Sequence, residues 1–259
     1  MTSPTASGAL WLIPNTLDLG TADAPPIEQV LPLGVLQRAA RLTHWLAEDA
    51  KTARAFLKRV DRVVPLARPL QALSIVELPR PPKGGARTLA AAPDVARLLA
   101  PALAGDDVGL ISEAGLPAVA DPGASLVAAA HAAGIRVYPL AGPTSLMLAL
   151  AASGLHGQCF AFVGYLPTDA AQRAARITAL EGLSRREHQT QIVIETPYRN
   201  AALATALLAA LQPTTRLAIA CGVTMPGGWC LMRRVSDWRG APPAFSDRTL
   251  PAVFLWLAN

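Results

Sequence analysis

The chain has 259 residues, enough for one large domain or two modest ones with a sizeable core. Hydrophobic residues make up 52%, which excludes general disorder. Charged residues are only 16%, against a usual share of about a quarter, so part of the surface is expected to be covered by domain packing or by a partner subunit. Lys plus Arg over Asp plus Glu gives 23 − 18 = +5, a balance compatible with a polyanionic partner.

Short apolar runs alternate with Ala/Leu-rich helical stretches, which predicts an α/β architecture. In the first half, strands are expected over 9–13, 42–47, 73–78, 108–112 and 135–138, with helices over 27–41, 50–60, 94–103 and 122–133. In the second half, strands are expected over 159–163, 190–195, 216–221, 229–235 and 252–257, with helices over 145–153, 169–180 and 198–211. Two sets of about five strands, parted by Pro139-Leu-Ala-Gly-Pro143, predict two α/β domains, 1–141 and 145–259. The first sheet should be mainly parallel. From Arg216 onward the strands follow one another without helices between them, so the second sheet should be mixed.

The longest apolar stretches, 145–155 and 201–211, are shorter than the roughly 18 residues of a spanning helix. The start, Met-Thr-Ser-Pro-Thr-Ala-Ser-Gly, lacks the basic and apolar regions of a secretion signal. Cys159, Cys221 and Cys230 have no C-x-x-C spacing, and His44, His131, His156 and His188 have no companion at ligand spacing. A reduced, cytoplasmic protein without metal is expected. The tryptophans do not interleave with basic residues as a single-strand stacking platform would.

The most informative segment is Val108-Gly-Leu-Ile-Ser-Glu-Ala-Gly-Leu-Pro-Ala-Val-Ala-Asp-Pro-Gly123. A buried strand runs into a loop of small residues and then a helix, with Asp121 read as N-cap and Pro122 as the first helical residue. In open α/β sheets such loops gather around ligands at the carboxyl ends of strands, and this one exceeds what a connection needs. A well-capped strand–helix connection is the plainer alternative. Glu48 and Asp49 fall at another strand–helix junction, where the helix dipole favours acids. Lys51, Arg54 and Lys58 follow at helical spacing along one face, which suits either a phosphate-binding stripe or a solvated charged face. Arg80, Lys83 and Arg87 lie in a basic, turn-forming stretch. There is no GxGxxG, P-loop, G-x-S-x-G or H-E-x-x-H.

Taken in order, Ala47-Glu-Asp, Ser112-Glu-Ala-Gly-Leu-Pro with Asp121-Pro-Gly, Gly142-Pro-Thr-Ser, Phe162-Val-Gly-Tyr-Leu-Pro and Glu195-Thr-Pro-Tyr-Arg resemble the tetrapyrrole methylase superfamily. Within it the likeness is greatest to the bacterial branch that methylates a cytidine ribose 2′-hydroxyl in small-subunit rRNA. The resemblance implies a two-domain homodimer that binds S-adenosylmethionine between its domains. Carried over by motif, Glu113, Ala114, Gly115, Pro117 and Ala118 would hold this donor together with Thr144, Ser145 and Leu146. Tyr165, Leu166, Cys221, Gly222, Pro251 and Ala252 would approach it from the second domain, and the loop from Pro14 to Gly20 would close over the acceptor. That loop and the stretch Cys221-Gly-Val-Thr-Met-Pro-Gly-Gly228 depart from the rRNA branch, so the donor half of the pattern is kept more fully than the acceptor half.

Methyl transfer needs alignment, exclusion of water and, for a ribose hydroxyl, a base. Glu48 or Asp49 is the expected base, with Lys51 or Arg54 placing a phosphate beside it; Glu48, Asp49 and Arg54 are thus the expected catalytic set, and Lys51, Lys58, Arg80, Lys83 and Arg87 are expected on an RNA backbone. A tetrapyrrole-type small-molecule acceptor, and a catalytically silent donor-binding protein, are the competing readings.

Overall fold

β1 (Ala9–Leu12) lies between two later strands, and this one placement organises the first half of the chain. The computed structural model describes residues 8–19, 24–79, 97–245 and 250–259. The chain divides into two compact units, 1–143 and 144–259.

In the first unit β1 is followed by α1 (Leu33–Arg41), β2 (His44–Ala47), α2 (Ala50–Asp61), β3 (Ser74–Glu77), α3 (Ala100–Leu103), β4 (Val108–Ile111), α4 (Ala124–Ala132) and β5 (Arg136–Pro139). The sheet is parallel throughout, in the order β3-β2-β4-β1-β5. Val108-Gly-Leu-Ile of β4 is buried along its whole length, as expected where helices cover both faces. Gly109 is required by packing: a Cβ there would stand 2.9 Å from both Leu42 Cδ1 and Trp45 Cε3.

The helix expected over 27–41 is two pieces, a 3-10 turn Ile27–Gln29 and then α1. Pro32, at φ −56° and ψ 143°, is the extended N-cap residue of α1 at the join; having no N–H to donate, it cannot carry the helical ladder on from the 3-10 turn. Asp121 and Pro122 do not open α4. That helix starts at Ala124 after Gly123 at φ +126°, so the expected cap belongs to the preceding loop. Of the helix expected over 94–103, residues 94–96 lie outside the described residues, as do Gly20, Arg80, Lys83 and Arg87.

In the second unit the order is α5 (Ser145–Ser153), β6 (Phe160–Phe162), α6 (Ala170–Glu187), β7 (Thr190–Glu195), α7 (Asn200–Ala210), β8 (Arg216–Cys221), β9 (Trp229–Arg234), α8 (Val235–Gly240) and β10 (Ala252–Leu257). The sheet order is β6-β7-β10-β8-β9, with β6 parallel to β7 and the other pairs antiparallel. This is the expected mixed sheet. One expectation fails: β9 and β10 are separated by α8, a single short helix whose Val235-Ser-Asp-Trp-Arg-Gly sequence is too brief to show a period.

β10 is the centre, buried at all six positions. Its alternation splits the core, Phe254 and Trp256 joining Ile177, Leu180, Leu203 and Leu207 on one face, Val253 and Leu255 joining Leu146 and Leu150 on the other. α6 runs on to Glu187 because Asp169 caps its start, accepting the Gln172 N–H at 2.9 Å, while Arg185 and Arg186 oppose the dipole at its end. Glu181 of α6 is buried; its carboxylate accepts the Gln212 N–H at 2.9 Å and the Thr215 hydroxyl, tying the helix to the turn before β8. Glu181→Ala should therefore cost about 3 kcal/mol by leaving both donors unsatisfied, read as a lower thermal midpoint for the second unit; a midpoint equal to wild type would show that water replaces the carboxylate.

Candidate functional site

In the first sheet the chain leaves β2 toward β3 on one side and β4 toward β5 on the other. Adjacent strands whose connections part in this way leave a crevice at their carboxyl ends, where open α/β sheets take ligands. Glu48 stands at the end of β2 and Ser112 and Glu113 at the end of β4. The two ends are joined: Glu48 N–H donates to the Ile111 carbonyl at 3.1 Å, and the Glu113 N–H donates to Glu48 Oε2 at 3.1 Å.

The loop after β4 is held from a second side by the loop after β1. Asn15 and Gly115 exchange backbone hydrogen bonds at 2.9 and 3.2 Å. The Asn15 side-chain amide donates to the Glu113 carbonyl at 2.9 Å and to that of Ser112 at 3.3 Å, while its own oxygen accepts the Thr16 N–H at 2.9 Å. The β1 loop is in turn anchored on α2. Arg59 donates to both Asp18 carboxylate oxygens at 3.1 and 3.2 Å, to Thr16 Oγ1 at 3.0 Å and to the Pro25 carbonyl at 3.0 Å.

The backbone so held is unusual. Gly115 is at φ +70°, where an L side chain is strained and would also crowd Leu17 Cδ2 at 3.3 Å. Ala118 and Ala120 adopt φ +66° and +65° without glycine's freedom. Such conformations persist only where the surroundings enforce them, and they concentrate at ligand sites. They leave the N–H groups of Ala114, Leu116 and Ala118 without an intramolecular acceptor among the described residues. Ser112 Oγ is enclosed and has no hydrogen-bond partner among the described residues. A loop of small side chains with three open N–H donors and an orphaned hydroxyl fits a polar ligand with acceptor edges, such as the purine, ribose and carboxylate of S-adenosylmethionine.

Asp49 caps α2, accepting the Thr52 N–H at 2.7 Å, and Arg54 lies exposed with Nη1 3.3 Å from the Ala50 carbonyl. Lys51 and Lys58 are exposed on the same helix. In the second unit, Thr144 precedes α5 in extended conformation, Ser145 begins the helix and Leu146 is buried beneath it. Gly222 N–H donates to the Pro251 carbonyl at 2.8 Å, and Cys221 pairs with Ala252 in register, so these four form one cluster at the ends of β8 and β10. The side chains of Cys221, Ala252 and Leu166 are core, whereas Tyr165 is 55% exposed. Asn200, fully buried nearby, donates to the Leu250 carbonyl at 2.9 Å while its Oδ1 lacks a partner among the described residues.

Sequence reasoning did not single out Asn15, Asp18, Arg59 or Asn200. Only Asn15 carried a visible signal, as a turn-forming residue directly after a strand and a proline.

The Tetrapyrrole (Corrin/Porphyrin) Methylases family matches residues 50–228. A protein of Pseudomonas aeruginosa named ribosomal RNA small subunit methyltransferase I is 46% identical over 95 residues, 37% of this chain and 32% of that protein. One of the same name from Mesorhizobium japonicum is 42% identical over 123 residues, 48% of this chain and 40% of that one. These matches thus span well under half the length of either relative. Among solved structures, a uroporphyrin-III-C-methyltransferase from Thermus thermophilus aligns over 96% of this chain and 94% of its own, with TM-score 0.52 and 21% identity. The methyltransferase CobJ aligns over 97% and 95%, with TM-score 0.57 and 18% identity. Both share the fold. With the motifs, the two five-stranded sheets and the matched region in agreement, the chain belongs to the tetrapyrrole (corrin/porphyrin) methylase family.

Proposed function

We propose that this chain is an S-adenosylmethionine-dependent methyltransferase acting on RNA. The observation that carries the donor half is the loop 112–118, fastened by Asn15 and Glu48 and presenting unpaired N–H groups with the orphaned Ser112 hydroxyl. The RNA half is supported by the names of the relatives and by the exposed Lys51, Arg54 and Lys58 on α2.

In this reading Glu113, Ala114, Gly115, Pro117 and Ala118 hold the donor with Thr144, Ser145 and Leu146, and Tyr165, Leu166, Cys221, Gly222, Pro251 and Ala252 complete its contacts. When bound, S-adenosylmethionine supplies a methyl group on a sulfonium, open to in-line displacement by an acceptor oxygen. The protein's part is to align that oxygen and exclude water. Glu48 is the better placed base of the two acids, since Asp49 is engaged as the cap of α2. A carboxylate has lone pairs enough to keep the Glu113 N–H and also receive the acceptor hydroxyl's proton. The same reading makes the protein a cytoplasmic homodimer. Met147 and Leu148 on α5 and Leu231 and Met232 on the edge strand β9 are 36–39% exposed, apolar surface suited to a second copy.

The test incubates purified protein with methyl-labelled S-adenosylmethionine and RNA from cells lacking its gene, then maps the label. Label at one ribose position is the expected result. Label confined to small molecules, or donor binding without transfer to any RNA, would overturn the RNA reading.

A further inference from the structure

The register of the first sheet places Trp11 of β1 beside Tyr138 of β5. Their rings stack, centroids 4.5 Å apart and planes 21° from parallel. Arg38 of α1 lies over the other face of the pair, its Cζ 3.7 Å from the Trp11 ring, held there by Asp107 at 3.3 Å. Arg136, two residues before Tyr138 on the same side of the strand, reaches over the Tyr138 ring, its Cζ 6.0 Å from the centroid. Among the described residues β5 is the edge of the sheet, and no further strand continues the stack beyond Tyr138, which is 36% exposed. The Trp11 N–H is enclosed without an acceptor among the described residues, so the residue contributes here through its ring faces.

We infer that this arginine–tryptophan–tyrosine ladder is a platform for one unpaired nucleobase of the RNA, stacked on the exposed Tyr138 ring, with the exposed Arg136 side chain swinging off that ring to take an adjoining phosphate. The inference rests on the RNA reading above and adds to it a second contact point. Stacking suits any base, because every base has a π face, and a cation behind the aromatic pair strengthens it. Arg38 is already neutralised by Asp107, whereas Arg136 is exposed and has no ion-pair partner among the described residues, which leaves its charge for a phosphate. Tyr138 and Trp11 lie near the carboxyl ends of their strands, the end that carries the loop 112–118. β5 is two strands from β4, about 10 Å at ordinary strand spacing, a separation a few nucleotides span. Linear sequence hides the site: the aromatic and basic residues do interleave, but only once β1, α1 and β5 are folded together.

The test measures binding of a fluorescent single-stranded oligoribonucleotide of about a dozen residues, a length within the usual range for such grooves. Tyr138→Ala should weaken it about five- to a hundred-fold, while Tyr138→Phe and Tyr138→Trp bind like wild type, and calorimetric affinity for S-adenosylmethionine stays unchanged in all three. If Tyr138→Ala binds RNA as wild type does while neutralising Lys51, Arg54 and Lys58 lowers affinity, the platform is wrong and the RNA reading stands. If wild type itself shows no salt-sensitive RNA binding, the RNA reading falls and takes the platform with it. If Tyr138→Ala instead changes the molar mass by light scattering at constant RNA affinity, the face is a protein interface and the proposal is overturned.

Discussion

Arg59→Ala should lower the thermal midpoint of the first unit by about 10 °C and weaken donor binding. The Asp18 side chain is 3% exposed, and both its oxygens accept from the Arg59 guanidinium. Removing one partner of a fully buried pair costs about 3–5 kcal/mol, because the other charge stays desolvated. The Arg59 side chain is 21% exposed, so water reaches part of the vacated space and the cost falls to about 2–3 kcal/mol. At about 3–5 °C per kcal/mol for a unit of this size, the shift follows. The same fork also holds Thr16 and the Pro25 carbonyl. Its loss frees the loop whose Asn15 fastens residues 112–115, which links a stability defect to the proposed donor site. Arg59→Lys keeps the charge and loses the fork, so it should recover only part of both losses. A midpoint within a degree of wild type would show that the β1 loop is held by other means.

What could be read before folding, and what could not, divides along a physical line. The bounds expected for α5, β7, β8 and β10 coincide with those observed, because each has a complete apolar run closed by turn-forming or polar residues. The doubly sheeted α/β class followed from that alternation. The start of α4 was misplaced because Asp-Pro-Gly satisfies a helix-start pattern equally well inside a loop. Arg59 could not be read at all: it stands 41 residues from Asp18, among other cations on the same helix, and only the packing of α2 against the β1 loop selects it. Trp11 and Tyr138 are likewise joined by strand register alone. Ser112, by contrast, lay in the strongest motif, yet its significance is an unsatisfied oxygen, a property of burial and not of spacing.

Neutralising the α2 stripe should act on RNA and spare the donor. In Lys51→Gln/Arg54→Gln/Lys58→Gln, three exposed cations are lost, none of them part of the apolar face built from Ala53, Phe56, Leu57 and Val60. Binding to single-stranded nucleic acid falls with the logarithm of salt at a slope of roughly −0.7 per phosphate neutralised. Three fewer contacts should therefore flatten the slope by about 2. Since the lines for wild type and variant converge near 1 M salt, the loss at 0.1 M is about a hundred-fold. Affinity for S-adenosylmethionine should not move, because the bonds that fasten the loop 112–118 come from Glu48 before α2 and from Asn15, whose loop Arg59 holds, and none of the three substituted side chains makes one among the described residues. Fluorescence anisotropy across a salt series reads both slope and intercept. An unchanged slope with reduced affinity would mean that the three side chains act by helix stability instead of charge, and circular dichroism of the variant would show it. An unchanged slope with unchanged affinity would assign the stripe to solvent and take the RNA backbone off this face of α2.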